Sequence, residues 1–196
     1  MIISNPRILG GGSSGGQLKL RLRLTPPLLL QLRQLSSSTR QSPVTRLSTE
    51  RIAVHLLQKW ATSCTDGPSV VQFSEEVIHC VTQFFQHYGS RLVTRKWTYP
   101  WLYYVSRFLR RNTGEPLSSS ELARLCKVSA VITVKFWNDF ETANRDAGRL
   151  LGLPMKALSE TERLLLEVLD YNLMIPPKTL VSFKNWSRTQ YLHDRR

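Results

Sequence analysis

The chain has 196 residues, 41% of them hydrophobic and 21% charged, and a net charge of +13. That length holds one domain of ordinary size plus tails, and the two fractions are those of a globular protein. No run is long and apolar enough to cross a bilayer, and no secretory signal is visible, so neither a membrane protein nor a secreted one is expected.

The charge is uneven. Residues 1–49 carry seven basic side chains (Arg7, Lys19, Arg21, Arg23, Arg33, Arg40 and Arg46) and no acidic one. Residues 1–47 are predicted to be a disordered basic tail rich in Gly, Ser, Leu and Arg, because GGGSSGG is a linker composition and KLRLRL has no second strand to pair with. Residues 17–49 also have the acid-poor, Arg- and Ser-rich composition of an organelle transit peptide; the glycine-rich start and Pro26–Pro27 favour the plain tail.

Residues 48–73 are assigned to a linker with an accessory helix from Thr49 to about Thr62, whose stripe is Ile52, Ala53, Leu56, Leu57 and Trp60. Thr65-Asp66-Gly67-Pro68 is a turn. A helix from Ser74 to His87 follows. Ser74 is its expected cap, Val77, Cys80, Val81, Phe84, Phe85 and Tyr88 its buried stripe, and Gly89 its stop. RLVTRKWTYP is taken as a basic loop before a helix over Trp101–Arg111, with Arg107, Arg110 and Arg111 outward. The interleaved Trp97, Tyr99, Trp101, Tyr103 and Tyr104 give that region the composition of a partner surface.

Ser118 to Asp139 is the centre of the pattern. Ser118 and Glu121 have capping-box spacing. Leu122, Leu125, Cys126, Val128, Ala130, Val131, Ile132, Val134 and Phe136 are apolar on nearly every face, as in a helix wrapped by others. Lys135 comes as the run ends. Glu141 to Leu151 is predicted to be a short helix ended by Gly152 and Pro154. Ser159 is the expected cap of another, with Glu160 and Glu162 in its first turn and its end near Leu173. The C-terminal stretch before residue 196 adds a last turn or helix. No strand is convincing, so the fold class is all-α, with five to seven helices.

No P-loop, GxGxxG, HExxH or GxSxG is present, and nothing gathers a nucleophile, a base and an oxyanion donor, so no catalytic residue is assigned. Cys64, Cys80 and Cys126 lack short paired spacing, and His55, His79, His87 and His193 do not join them at zinc spacing. No metal site and no cofactor is therefore expected, and the thiols are read as free in a reducing compartment. ELARLCKVSAVITVKFW has the look of a helix-turn-helix, which with the net charge makes a basic helical nucleic-acid binder (stretch 118–137) the alternative reading. Lys127 at the turn position, and Val131, Ile132 and Val134 where base-reading side chains belong, favour one buried helix instead, so nucleic acid is not the expected partner.

Arg124-Leu125, then Lys135-Phe136-Trp137-Asn138-Asp139, Asn144, Gly152-Leu153, Glu162, and Leu165-Leu166 with Leu169-Asp170-Tyr171-Asn172-Leu173 together resemble the cyclin box. They are most similar to the single-box group of cyclin Y, the plant P/U-type cyclins and the fungal Pho80-like cyclins. Tyr104-Val105-Ser106-Arg107 is similar to the Y-x-x-R of the second box helix. Asn138, Ala147, Thr161 and Leu165 depart from the commonest residues of that pattern. The resemblance implies a five-helix cyclin-box bundle around a buried third helix. Its boundaries would be a box over 74–185 and a C-terminal tail over 186–196. It implies a regulatory subunit, not an enzyme, that binds and activates a cyclin-dependent protein kinase. Lys135, Glu162, Phe136, Leu158 and Leu165 would be its kinase-binding residues, and Arg124, Asp139, Asn144 and Gly152 its structural hub. An intracellular location, in nucleus or cytoplasm, follows from that role.

Overall fold

The computed structural model describes residues 48–67, 69–89, 91–112, 114, 116–138 and 142–195, with side chains from 96 onward in the stretch that begins at 91. All of them lie within one unit, Arg46–Arg196. The predicted tail over 1–47 and Asp139 fall outside the described residues. Seven helices are described: α1 (Thr49–Ala61), α2 (Val70–Tyr88), α3 (Arg91–Arg111), α4 (Ser119–Trp137), α5 (Asn144–Leu151), α6 (Met155–Val168) and α7 (Pro177–His193). No strand occurs among the described residues, so the unit is all-α.

α4 is the hub. Ser118 accepts from the Glu121 backbone N–H at 3.3 Å and donates its own N–H to the Glu121 carboxylate at 2.8 Å, a complete capping box. Asp66 fixes the same end from outside, accepting the Ser119 N–H at 2.9 Å and the Ser119 hydroxyl at 2.6 Å. From Leu122 to Val134 every residue is buried except Ala123, Arg124 and Lys127, and α2, α3 and α6 pack around that surface. α4 continues through Lys127 without a break, and Val131, Ile132 and Val134 face the core. A helix-turn-helix at 118–137 is thereby excluded as a local structure.

The two ends of the unit differ from expectation. α1 is not an accessory element in a linker: Ile52, Ala53, Leu56, Leu57 and Ala61 are wholly buried. α7 is the last helix expected in the C-terminal stretch, but it runs through most of 186–196 and packs on the core, burying Phe183, Ser187 and Tyr191. It is tied to α1 where Lys59 donates to Gln190 at 2.7 Å and to Asp194 at 3.2 Å. The boundary at Ser74 also moves. α2 starts at Val70, and Ser74 is buried inside it with its hydroxyl on the Val71 carbonyl at 2.8 Å.

The expected basic loop at 91–100 is helical, the first half of α3, with Pro100 inside it. Proline removes one helix hydrogen bond, and burial of the aromatic residues around it outweighs that loss. Trp97, Tyr99, Trp101 and Tyr104 lie in the core, and the Trp101 indole donates to the Cys126 carbonyl of α4 at 2.8 Å. Those rings hold the bundle together; they do not form the partner surface that their spacing suggested.

Candidate docking site at the end of the central helix

Lys135 sits in the last turn of α4, one turn beyond buried Val131 and Ile132. That stripe aims its ammonium along the seam with α6. On α6, Leu158, Glu162 and Leu165 share one face at i, i+4 and i+7, and Leu158 and Leu165 are wholly buried. Their packing turns Glu162 toward α4. Asn144 supplies the third group from the first residue of α5.

The three side chains close a ring. Lys135 Nζ donates to Glu162 Oε1 at 2.6 Å and to Asn144 Oδ1 at 2.5 Å, and Asn144 Nδ2 donates to Glu162 Oε2 at 2.8 Å. The Lys135 side chain keeps 31% of its exposure and that of Glu162 13%, so the pair stands at the edge of the core. An ammonium has three donors and a carboxylate about four acceptor positions. Two donors and two acceptor positions are used within the ring, which leaves each charged group able to bond a partner without releasing the other.

At the end of α4, Phe136 and Trp137 are 40% and 38% exposed, edge to face at 5.6 Å. The Trp137 indole donates to Tyr104 Oη at 2.9 Å, and Tyr104 in turn donates to the Leu173 carbonyl at 2.6 Å. Burial pushes the Tyr104 phenol up to about 12, so it remains a donor at any physiological pH. Leu164, Tyr171 and Met174 add further exposed apolar surface.

Of the residues singled out from sequence, Lys135 and Glu162 meet directly, and Phe136, next to Lys135 in the chain, is exposed. Leu158 and Leu165 do not reach the surface; they lie beneath and orient Glu162. Asn144, expected as a hub residue, is a member of the ring. Gly152 is the left-handed end of α5 (φ 63°), where the Leu153 N–H returns to the Gly148 carbonyl at 2.8 Å. Arg124 is half-buried near the opposite end of α4, with its charge close to Glu121. Glu162 was expected in the first turn of a helix capped by Ser159. α6 begins at Met155, so Glu162 lies in mid-helix and does not serve the helix dipole.

One feature went unread in the sequence. Arg107 and Arg111, assigned to an outward face, turn onto the segment after α6. Arg107 donates to the carbonyls of Asn172 at 2.6 Å and Leu169 at 3.1 Å; Arg111 donates to the Val168 carbonyl at 2.7 Å and pairs with Asp170. The segment needs holding, because Asp170 and Tyr171 adopt left-handed backbone at φ 54° and 53° without being glycine. The spacing of Tyr104, Arg107 and Arg111 on one face of α3 was the available signal.

No group of three or more His, Cys, Asp or Glu among the described residues is placed to hold a metal ion, and no described helix is long and apolar enough to cross a membrane. Comparison of the chain with protein-family models, with curated proteins and with solved structures returns no match.

Proposed function

We propose that this chain is a cyclin-like regulatory subunit that binds and activates a cyclin-dependent protein kinase. The observation that carries the reading is the convergence of Lys135, Asn144 and Glu162 from three helices at the edge of the core, next to the exposed Phe136. The buried position of α4 among α2, α3 and α6 also supports the reading, while α1 and α7 are packed onto the same core in addition to the five helices of such a box.

In this reading the remaining Lys135 donor reaches backbone carbonyls beside the kinase's C-helix, and the spare Glu162 acceptor positions take backbone N–H groups. Both bonds are charge-assisted and stronger than neutral ones. Phe136 and Trp137 supply apolar area. The docked face holds the kinase C-helix inward, so that its Lys–Glu pair forms and the catalytic site is complete. The chain contributes no catalytic group. Such a role belongs in the nucleus or cytoplasm.

Affinity purification of the full chain from its native cells, with identification of co-purifying proteins, tests this. A cyclin-dependent kinase recovered with the wild type and depleted with Lys135→Ala supports the proposal. Its absence leaves a cyclin-like scaffold without a kinase and overturns it.

A further inference from the structure

On the side of the unit built by α1, α3 and α7, none of whose lining residues belongs to the Lys135–Glu162 ring, lies a cavity of about 590 Å³. Its floor is Leu109 and Phe183, the latter 7% exposed, and its walls include Trp60, Tyr103 and Trp186. Phe183 and Trp186 are stacked at 5.5 Å, and Tyr103 meets Phe183 edge-on at 5.4 Å. Trp186 nevertheless stays 42% exposed. A second cavity of about 340 Å³, bounded by Cys64, Pro116, Leu117 and Leu122, shares Trp60 and Leu109 with the first. The two adjoin at those residues as a trough with two sockets, whose apolar lining is interrupted by Ser106, Thr179 and Ser182 in the first and by Ser63 and Asn112 in the second.

The charged side chain that lines the larger socket is Arg110, and the two helices that carry most of its lining, α3 and α7, contain no Asp or Glu. Arg107 and Arg111 are engaged by the segment after α6, but Arg110 lines the socket itself. Its Nε donates to the Ser106 carbonyl at 3.3 Å, which fixes the guanidinium, and no carboxylate among the described residues pairs with it. Lys184 and Arg188 of α7 lie toward Tyr99, with the Lys184 ammonium 5.5 Å from the centre of that ring, and do not line the socket.

We propose that this trough docks an acidic linear segment of a partner polypeptide. Large apolar side chains of the segment fill the two sockets, and a neighbouring Asp or Glu pairs with Arg110. An indole beside an arginine at the rim of a concave apolar surface is the composition of a binding hot spot. Single-stranded nucleic acid fits less well, because it needs cations spaced along a track with open ring faces. Here Arg110 alone lines the larger socket, and the ring of Phe183 is covered. Residues 1–49, without a single acid, lack the carboxylate that Arg110 calls for.

The test is selection of a displayed library of random linear peptides on the full-length chain, followed by titration of the synthetic consensus peptide against wild type, Arg110→Glu and Trp186→Ala. Circular dichroism checks that both variants keep the wild-type helicity. The expected consensus pairs Asp or Glu with Leu, Phe or Trp, and its affinity falls about tenfold or more with each variant, as for a hot-spot residue. A peptide with Lys in place of the consensus acid regains affinity for Arg110→Glu. The proposal is overturned by a neutral or basic consensus, by no enrichment, or by affinity indifferent to both variants. It is equally overturned if oligothymidylate displaces the peptide and binds more tightly than it does. Because Lys135 and Glu162 are untouched, kinase capture by these variants reports separately on the docking face at the other site.

Discussion

Lys135 Nζ lies 2.6 Å from Glu162 Oε1, a residue 27 positions further along the chain, and Asn144 from α5 bonds to both. Neither residue gives this away by its local sequence, since a lysine in a last helical turn and a glutamate in an amphipathic helix are ordinary. Their meeting follows from two buried stripes: Val131 and Ile132 below the lysine, and Leu158 and Leu165 on either side of the glutamate.

Removing one member of the ring leaves the others short of a partner at the edge of the core. Lys135→Ala and Glu162→Ala are each expected to lower stability by about 1–3 kcal/mol, the range for losing a hydrogen bond to a charged group or leaving one unsatisfied. Asn144→Ala should cost less, because the charged pair survives it. Urea unfolding at neutral pH, with a common denaturant slope, checks the order of the three.

The arginine clamp makes a different demand. Arg107→Ala removes two bonds to carbonyls and is expected to destabilise by about 1–3 kcal/mol. Tyr171, 66% exposed at φ 53°, gains from glycine at that backbone angle. Relief of the left-handed strain, about 1–2 kcal/mol, exceeds or balances the added entropy of the unfolded chain, so Tyr171→Gly should be neutral to about 1 kcal/mol stabilising. Tyr171→Val should destabilise. Thermal unfolding of the three variants distinguishes them.

Most of the fold could be read from the chain because its signals were local and agreed. The Ser118–Glu121 box, the unbroken apolar run to Val134 and the Gly152–Pro154 stop each specify one element. The failures were tertiary. The stretch 91–100 was read as a basic loop, yet α3 runs through it and Pro100 because Trp97, Trp101 and Tyr104 all reach the core. α1 and α7 have stripes too short or too mixed to reveal that they cover the bundle. Arg107 and Arg111 looked solvated because their acceptors are mainly backbone carbonyls, and only the face they share with Tyr104 marked them in the sequence. At the candidate site the residue types were legible, but the side on which Leu158 and Leu165 face was not.

At the start of α4, Ser118→Ala is expected to cost about 1 kcal/mol, the usual value of a lost cap. Asp66 adds a pH signature. The Ser119 hydroxyl and N–H hold its carboxyl below the ordinary value of 3.8. A depressed pKa means that its contribution is complete above the ordinary value and is lost as pH falls through the lower, folded one. Asp66→Asn should therefore be less stable than wild type at neutral pH, and the gap should close as pH drops below about 4. Urea midpoints taken from neutral to strongly acidic pH give the comparison.

Gly148 tests the packing of α5 on α6. A methyl group there would meet the Leu153 carbonyl oxygen at 2.9 Å, a backbone atom that cannot turn aside, and Leu158 at 3.7 Å. Gly148→Ala is expected to destabilise by about 1–3 kcal/mol despite the better helix propensity of alanine. A calorimetric melting temperature at or above wild type would contradict this close approach.

The charge-swapped chain carrying Lys135→Glu with Glu162→Lys bears most directly on the docking role. The Asn144 amide can turn over to serve the exchanged pair, so the internal ring re-forms and stability recovers toward wild type. A partner surface cannot exchange its carbonyls for N–H groups. The measurement is recovery of a cyclin-dependent kinase on the immobilised swapped chain, beside wild type. The account predicts stability near wild type with capture lost; capture at the wild-type level would show that the pair serves only the fold.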